Sequence, residues 1–101
     1  MNSRESVVLV NGLWLGDPAL WLLARRLRRA GFQTFRFSYP SVRQDLRANA
    51  AQLHEFLARV PGTTVHLVGY SLGGLVIRAL FQFHPGQRPG RVLLLGSPQQ
   101  G

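Results

Sequence analysis

The chain has 101 residues, of which 46% are hydrophobic, and its formal net charge at pH 7 is +8. This balance predicts one globular domain over residues 1–101 and argues against a disordered segment. The chain contains no cysteine, which excludes disulfides, thiol catalysis and cysteine-ligated metal. No apolar run approaches the ~20 residues that span a bilayer. The N-terminus shows no signal-peptide pattern, so we expect a cytoplasmic protein without a transmembrane segment.

Every basic residue is an arginine, and the arginines are spread over most of the chain. A net charge of this size can indicate nucleic acid or an anionic surface as partner, but the spread argues against both. The one cluster lies in the last turns of a predicted helix, where cations favour the negative end of the helix dipole. It consists of Arg25, Arg26, Arg28 and Arg29. Because no aromatic residues interleave with a basic stripe, we expect no nucleic-acid partner.

The first part of the chain predicts a strand followed by a helix. Residues 7–10 form a continuous apolar run, which is typical of a strand buried on both faces. Residues 11–16 follow as a loop, after which Asp17 and Pro18 supply an N-cap and a first-turn proline. The helix that they open has an apolar stripe and ends at Gly31. The stripe consists of Leu20, Leu23, Ala24 and Leu27.

The next part predicts an edge strand and a second helix. In residues 32–39, aromatic and polar side chains alternate, which indicates a strand with one more exposed face, at an edge of the sheet. An amphipathic helix is predicted from residue 41 or 42 to Val60, where Pro61 and Gly62 stop it. Its apolar positions are Val42, Leu46, Leu53, Leu57 and Val60.

Two further apolar runs of strand length, residues 65–68 and 92–95, flank a helix predicted for residues 75–83. Strand and helix therefore alternate along the chain, the pattern of a parallel sheet with right-handed crossovers. We predict a three-layer α/β fold with helices on both faces of a mostly parallel sheet. If the first and third strands are neighbours, the local strand order is 2-1-3-4, and the switch point between them is where ligands usually bind.

Residues 69–73 read Gly-Tyr-Ser-Leu-Gly, a G-x-S-x-G between the third strand and the third helix. A serine hydroxyl is a weak nucleophile and must stand clear of the backbone so that a base can reach it. A very tight strand-to-helix turn achieves this, and side chains two residues either side would collide, which explains Gly69 and Gly73. The backbone N–H of Leu72 opens the following helix and can point at a developing oxyanion.

Two other interpretations of these five residues are open. A plain glycine-rich turn between a strand and a helix of a parallel sheet requires no chemistry. A phosphate-binding turn is disfavoured, because the G-x-G-x-x-G spacing is absent and no G-K-[ST] follows. The flanking strand and helix favour a nucleophile elbow over both.

Three stretches of the chain resemble the lipase and esterase branch of the alpha/beta-hydrolases. They are VVLVNGLWLGD, HLVGYSLGGLVIR and VLLLGSPQQG. The resemblance covers nearly the whole chain in the family's order. It implies a partial alpha/beta-hydrolase fold and a serine-dependent carboxylic ester hydrolase that forms an acyl-serine intermediate. The substrate that it implies is a small-molecule or lipid ester, and it implies no metal or organic cofactor.

Carried over by position, the resemblance makes Ser71 the nucleophile. The backbone N–H groups of Leu13 and Leu72 are then the two oxyanion donors. Asn11 stands where the family usually has histidine. Because the oxyanion donors are main-chain groups, this change does not by itself abolish the oxyanion hole. The candidate lining of the substrate pocket is Trp14 and Tyr70, with Leu15 beside Trp14. Packing of the 11–16 loop over the core is the alternative role for the tryptophan.

The other members of a catalytic triad are missing. After Ser71 the chain has no Asp or Glu, and its only later histidine is His84, at the far end of the elbow helix. In this respect the chain resembles the N-terminal half of a hydrolase, cut shortly after its fourth strand. The alternative function is a truncated or degenerate module without a triad, a non-catalytic binding or assembly piece. Such a module would self-associate through an exposed sheet edge.

The remaining titratable residues predict structure rather than chemistry. His54 lies in a predicted helix and His66 in a predicted strand, and neither spacing suggests a base or a metal ligand. We expect both to be structural or solvated. Asp17 is interpreted as a helix cap and Asp45 as a solvated helix residue.

Overall fold

The computed structural model describes residues 5–12, 18–39, 45–70 and 72–95. Strands and helices alternate along these residues, as the sequence predicts. In chain order they are β1 (Glu5–Gly12), α1 (Pro18–Arg29), β2 (Gln33–Tyr39), α2 (Leu46–Leu57), β3 (Thr64–Tyr70), α3 (Gly73–Phe83) and β4 (Val92–Leu95). None of these helices has the length and apolar character that a membrane span requires. The proposed Asp17 cap lies outside the described residues.

The described strands form one sheet in the order β2-β1-β3-β4. Every neighbouring pair is parallel, and the register places Val8 beside Phe35 on one side and Leu67 on the other. The predicted order 2-1-3-4 is therefore confirmed. Among the described strands β2 lies at one end of the sheet, as its alternating pattern predicts, and β4 lies at the other.

Strand β1 separates two hydrophobic cores. Val8 and Val10 face a core that includes buried residues of α2 and α3, whereas Val7 and Leu9 face one with Ala24 of α1. All four side chains are at most 3% exposed. Because side chains alternate between the faces of a strand, a continuous apolar run fills both cores. The helices thus cover both faces of the sheet in three layers.

Strand β1 extends further than predicted. The loop was expected from Asn11, but Asn11 and Gly12 continue the parallel ladder opposite Ser38 and Tyr39 of β2. The Asn11 side chain is fully buried. The prediction ended the strand at the first polar residue, whereas backbone pairing with β2 determines where the strand ends.

Helix α2 begins later and ends earlier than predicted. Asp45 has an extended backbone (φ −50°, ψ 133°), and its carboxylate accepts a hydrogen bond from the Arg47 N–H at 3.1 Å. Asp45 is exposed to solvent, as predicted, but it is the N-cap rather than a residue within the helix, because the side chain replaces the backbone acceptor that the first turn lacks. The helix ends at Leu57, although Val60 beyond it is buried.

Candidate active site

The switch point of the sheet lies between β1 and β3. These strands are neighbours, and each is followed by a helix that starts at the carboxyl edge of the sheet. Helix α1 packs on one face of the sheet and α3 on the other. Helices on opposite faces after neighbouring strands are the arrangement that opens the crevice in which α/β proteins bind ligands.

The turn between β3 and α3 is as short as the sequence predicts. Strand β3 ends at Tyr70 and α3 begins at Gly73, so only two residues connect them. Leu72 already has helical angles (φ −71°, ψ −8°), and its carbonyl oxygen accepts a hydrogen bond from the Leu75 N–H at 3.0 Å. A backbone N–H in the first turn of a helix points along the axis toward the positive dipole end. Leu72 therefore lies at the end of the helix where negative charge is favoured, and its role as an oxyanion donor stays a prediction.

Gly69 and Gly73 are both required by close backbone contacts. A Cβ atom on Gly69 would lie 2.9 Å from the Gly74 Cα and 2.9 Å from the Ile77 Cδ1. A Cβ atom on Gly73 would overlap the carbonyl oxygen of Val10 in β1. From the sequence alone, both glycines were predicted to prevent a collision of side chains across the turn. In the structure the obstacles are instead the first turns of α3 and the adjacent strand.

Gly74, the second residue of α3, also shapes the site and was not among the predicted site residues. Its backbone is the surface on which Gly69 packs, and it is itself buried. The signal in the sequence was the Gly-Gly pair at residues 73 and 74. Two successive glycines at a helix start weaken the helix, so they indicate a close approach of backbone rather than a favourable helix terminus.

The structure brings four of the predicted site residues together at the turn. They are Gly69, Tyr70, Leu72 and Gly73. Tyr70 is half-buried and pairs with Leu95 of β4. The proposed nucleophile Ser71, the second oxyanion donor Leu13 and the pocket candidate Trp14 lie outside the described residues, as does Leu15.

A small apolar cavity adjoins the turn on the α2 and α3 side of the sheet. Its volume is about 120 Å³, and its described lining is Tyr39, Leu46, Asn49, Leu72, Leu75 and Val76. An engineered cavity of about 150 Å³ holds benzene, so this one has room for a chain of about four carbons. Burial raises the pKa of the Tyr39 hydroxyl above its ordinary value of 10.0. The hydroxyl therefore stays protonated at neutral pH.

His84 and His54 lie far from the turn. Their rings stack with centroids 4.3 Å apart at the C-terminal ends of α3 and α2, and His54 Nδ1 lies 3.1 Å from Nε2 of Gln87. Helix α3 has 11 residues, so its two ends are about 16 Å apart. Neither imidazole is within hydrogen-bond reach of the turn.

His66 has a structural role at the amino end of the sheet. Its Nδ1 accepts a hydrogen bond from the Arg91 N–H at 2.9 Å, and its Nε2 lies 2.9 Å from Glu5 Oε1. Because an amide N–H can only donate, Nδ1 must be unprotonated and Nε2 carries the hydrogen that Glu5 accepts. The ring thus joins β1, β3 and the start of β4, and both of its nitrogens are engaged. Within the described residues, no group of three or more side chains could hold a metal ion.

Comparison with known proteins gives one family match. A family model described as the alpha/beta hydrolase family matches residues 7–101. The match includes every described helix, the β3–α3 turn and all but the first two residues of β1. No curated protein and no solved structure matches the chain.

Proposed function

Since the chain belongs to the alpha/beta hydrolase family, we propose that it is a serine hydrolase that cleaves carboxylic esters of small molecules or lipids. The observation that carries this proposal is the two-residue connection between β3 and α3, closed by Gly69 and Gly73 against backbone. Such a connection at the switch point is the setting that a G-x-S-x-G nucleophile requires.

In the proposed reaction, Ser71 Oγ attacks the ester carbonyl carbon and its proton passes to a general base. The negative charge that develops on the carbonyl oxygen is stabilised by the N–H groups of Leu72 and Leu13. Collapse of this intermediate expels the alcohol and leaves an acyl-serine, which water then hydrolyses. The helical angles of Leu72 support its role, because a donor that is already oriented requires no rearrangement during the reaction.

The general base in this proposal is a histidine that residues 1–101 do not supply at the site. His54 and His84 stack on each other at the opposite end of α3, and both ring nitrogens of His66 are engaged at the opposite edge of the sheet. Another segment or another chain must therefore provide the base. The proposal concerns the complete protein in its native assembly.

The small cavity beside Leu72 supports the proposal of a substrate whose buried part is a short acyl chain. Leu72, Leu75 and Val76 supply apolar walls, and the volume of about 120 Å³ holds a few carbons. A long acyl chain would have to leave the cavity or displace its lining. Esters with acyl groups of about two to four carbons are accordingly the preferred substrates of the proposed enzyme.

The test is a Ser71→Ala change in the complete protein, assayed with short-chain p-nitrophenyl esters and with a fluorophosphonate probe. The wild type should turn over ester and take the label, whereas Ser71→Ala should lose both, by about a thousandfold or more in turnover. Ser38→Ala is the matched control, because Ser38 is a half-buried serine in β2. Turnover that persists unchanged in Ser71→Ala would refute the proposal.

A non-catalytic assembly module is the second candidate, because of the surface that β4 presents. β4 lies at an end of the described sheet, with Val92 45% and Leu93 51% exposed. An apolar edge strand of this kind favours pairing with another chain. Light scattering over a concentration series tests this candidate, and a monomer at every concentration would count against it.

A further inference from the structure

Helix α1 has an outer face that does not pack on the sheet but still carries large apolar side chains. Its inner face holds the buried Leu20 and Ala24. On the outer face, Trp21 is 62% exposed and Leu22 is 51% exposed. The α1 outer surface is defined by these two residues and by the exposed arginines beside them. The arginines are Arg25, Arg26 and Arg29 of α1 and Arg36 of β2.

Trp21 and Arg36 lie side by side on this surface. The Arg36 guanidinium carbon is 5.8 Å from the centre of the Trp21 ring, within range of a cation–π contact. Arg28 is turned toward the same strand, where its Nη1 donates to Thr34 Oγ1 at 3.1 Å. The sequence does not reveal this pair as an aromatic and basic stripe, because Arg36 is separated from Trp21 along the chain and joins it only through the packing of α1 beside β2.

The positive charge of the α1 outer surface has no acidic counterpart on the elements that form it. No residue of α1 or β2 is acidic. Among the described residues, Glu5 is engaged by His66, Asp45 caps α2, and Glu55 belongs to α2 on the other face of the sheet. The surface therefore complements an extended anionic partner.

Two exposed apolar side chains decide the kind of anionic partner. Trp21 and Leu22 occupy the first half of α1, and the arginines occupy its second half. Tryptophan is enriched where a membrane meets water, and a leucine next to it gains by insertion among acyl chains. Arginine stems can lie along the same apolar boundary while their guanidinium groups reach lipid phosphates. A nucleic-acid backbone would use the charges, but it offers no environment for Leu22.

The position of α1 also relates this surface to the candidate active site. Helix α1 follows β1 and precedes the parallel strand β2, so Trp21 and Leu22 lie in the half of the helix nearest the carboxyl edge of the sheet. The β3–α3 turn is at the same edge. We propose that the α1 outer surface docks on an anionic lipid membrane and holds this edge close to the bilayer. This inference does not depend on the esterase activity.

The test is binding of the complete protein to vesicles of phosphatidylcholine with about 30% phosphatidylglycerol, measured by co-sedimentation at low salt. Each arginine near an anionic surface strengthens binding about fivefold, so Arg25→Gln combined with Arg29→Gln should weaken it about 30-fold. The matched control combines Arg47→Gln with Arg59→Gln, which removes the same charge from exposed residues at and beyond the ends of α2. The control should bind within about threefold of the wild type. Equal losses in the two double variants would overturn the assignment to α1.

Insertion of Trp21 gives a second readout. The chain has two tryptophans, so in a Trp14→Phe background the emission should shift to shorter wavelength on adding the anionic vesicles, and not on adding pure phosphatidylcholine. Trp21→Ser should weaken vesicle binding while leaving the circular dichroism spectrum unchanged. Absence of binding to anionic vesicles by a folded wild type refutes the proposal. Binding of double-stranded DNA that is lost in Arg25→Gln/Arg29→Gln, without any vesicle binding, would assign the surface to nucleic acid instead.

Discussion

Gly73 most directly determines the shape of the candidate site, because it has no side chain. It lets the first turn of α3 touch the end of β1, since a Cβ atom there would overlap the Val10 carbonyl oxygen. That oxygen is part of the sheet and cannot move aside as a flexible side chain could. Gly73 thus brings α3, which follows β3, against β1, the other strand at the switch point.

We predict that Gly73→Ala destabilises the protein by about 3 kcal/mol, since the methyl group must displace backbone. Gly86→Ala is the matched control, because a Cβ atom there meets nothing within 4 Å. The control should change stability by no more than about 0.5 kcal/mol. Urea unfolding followed by circular dichroism measures both. A Gly73→Ala protein as stable as the wild type would mean that α3 does not contact β1 as described.

At the scale of elements, the loop between α3 and β4 holds the C-terminal end of α2 in place. The Arg88 guanidinium donates to the carbonyl oxygens of Leu57 at 2.5 Å, Val60 at 2.8 Å and Gly62 at 2.7 Å. Leu57 is the last residue of α2, where a helix leaves its last carbonyl groups without intrahelical partners, and Val60 and Gly62 lie in the segment that follows. One side chain from a distant part of the chain supplies the donors here, and it thereby joins α2 to the segment that leads into β4.

We expect Arg88→Met to lower the free energy of unfolding by about 2–3 kcal/mol, because it removes the donor to the partly buried carbonyl groups of Val60 and Gly62. The Leu57 carbonyl oxygen keeps its hydrogen bond from the Val60 N–H. Arg88→Lys should recover only part of this loss, since an ammonium group cannot reproduce the planar array of guanidinium donors. Arg59→Met, an exposed arginine near the same helix end, should cost less than about 0.5 kcal/mol. The measurement is the urea midpoint. Equal stabilities of Arg88→Met and Arg59→Met would contradict the role given to Arg88.

At the scale of the whole molecule, the chain carries a large excess of positive over negative charge. Twelve arginines face four acidic residues, which gives the formal net charge of +8. Repulsion among like charges favours the expanded unfolded chain over the compact one. Few acidic side chains are present to offset it, and in the described residues Glu5 contacts a His66 ring that is neutral in the tautomer its hydrogen bonds require.

We therefore predict that stability rises with ionic strength. Raising sodium chloride from about 10 mM to about 300 mM shortens the Debye length from about 30 Å to below 10 Å and screens the repulsion. The urea midpoint should increase over this range. The increase should be smaller in the Arg25→Gln/Arg29→Gln and Arg47→Gln/Arg59→Gln proteins, whose net charge is lower. A midpoint that falls with salt would show that attractive pairs outweigh repulsion.

The sequence by itself determined the elements and the type of fold. Local periodicity identified every described strand and helix, and β4 has the bounds that were predicted, Val92–Leu95. The alternation of elements predicted a parallel sheet with right-handed crossovers, and the order 2-1-3-4 followed once the first and third strands were taken as neighbours. The G-x-S-x-G and its flanking strand and helix located the candidate site. These features are encoded within short stretches, so they can be found without knowing what packs against them.

Only the tertiary structure decided which distant residues meet. The Gly73 contact with Val10, the Arg88 contacts at the end of α2 and the His54–His84 stack join residues far apart in sequence. The cation–π pair of Trp21 and Arg36 likewise depends on the packing of α1 beside β2. None of these contacts has a local signature, because each requires two elements to be placed by the sheet before their side chains come within reach. The sheet therefore determines the environment of each side chain, whereas the local sequence pattern determines only the helix or strand in which the residue lies.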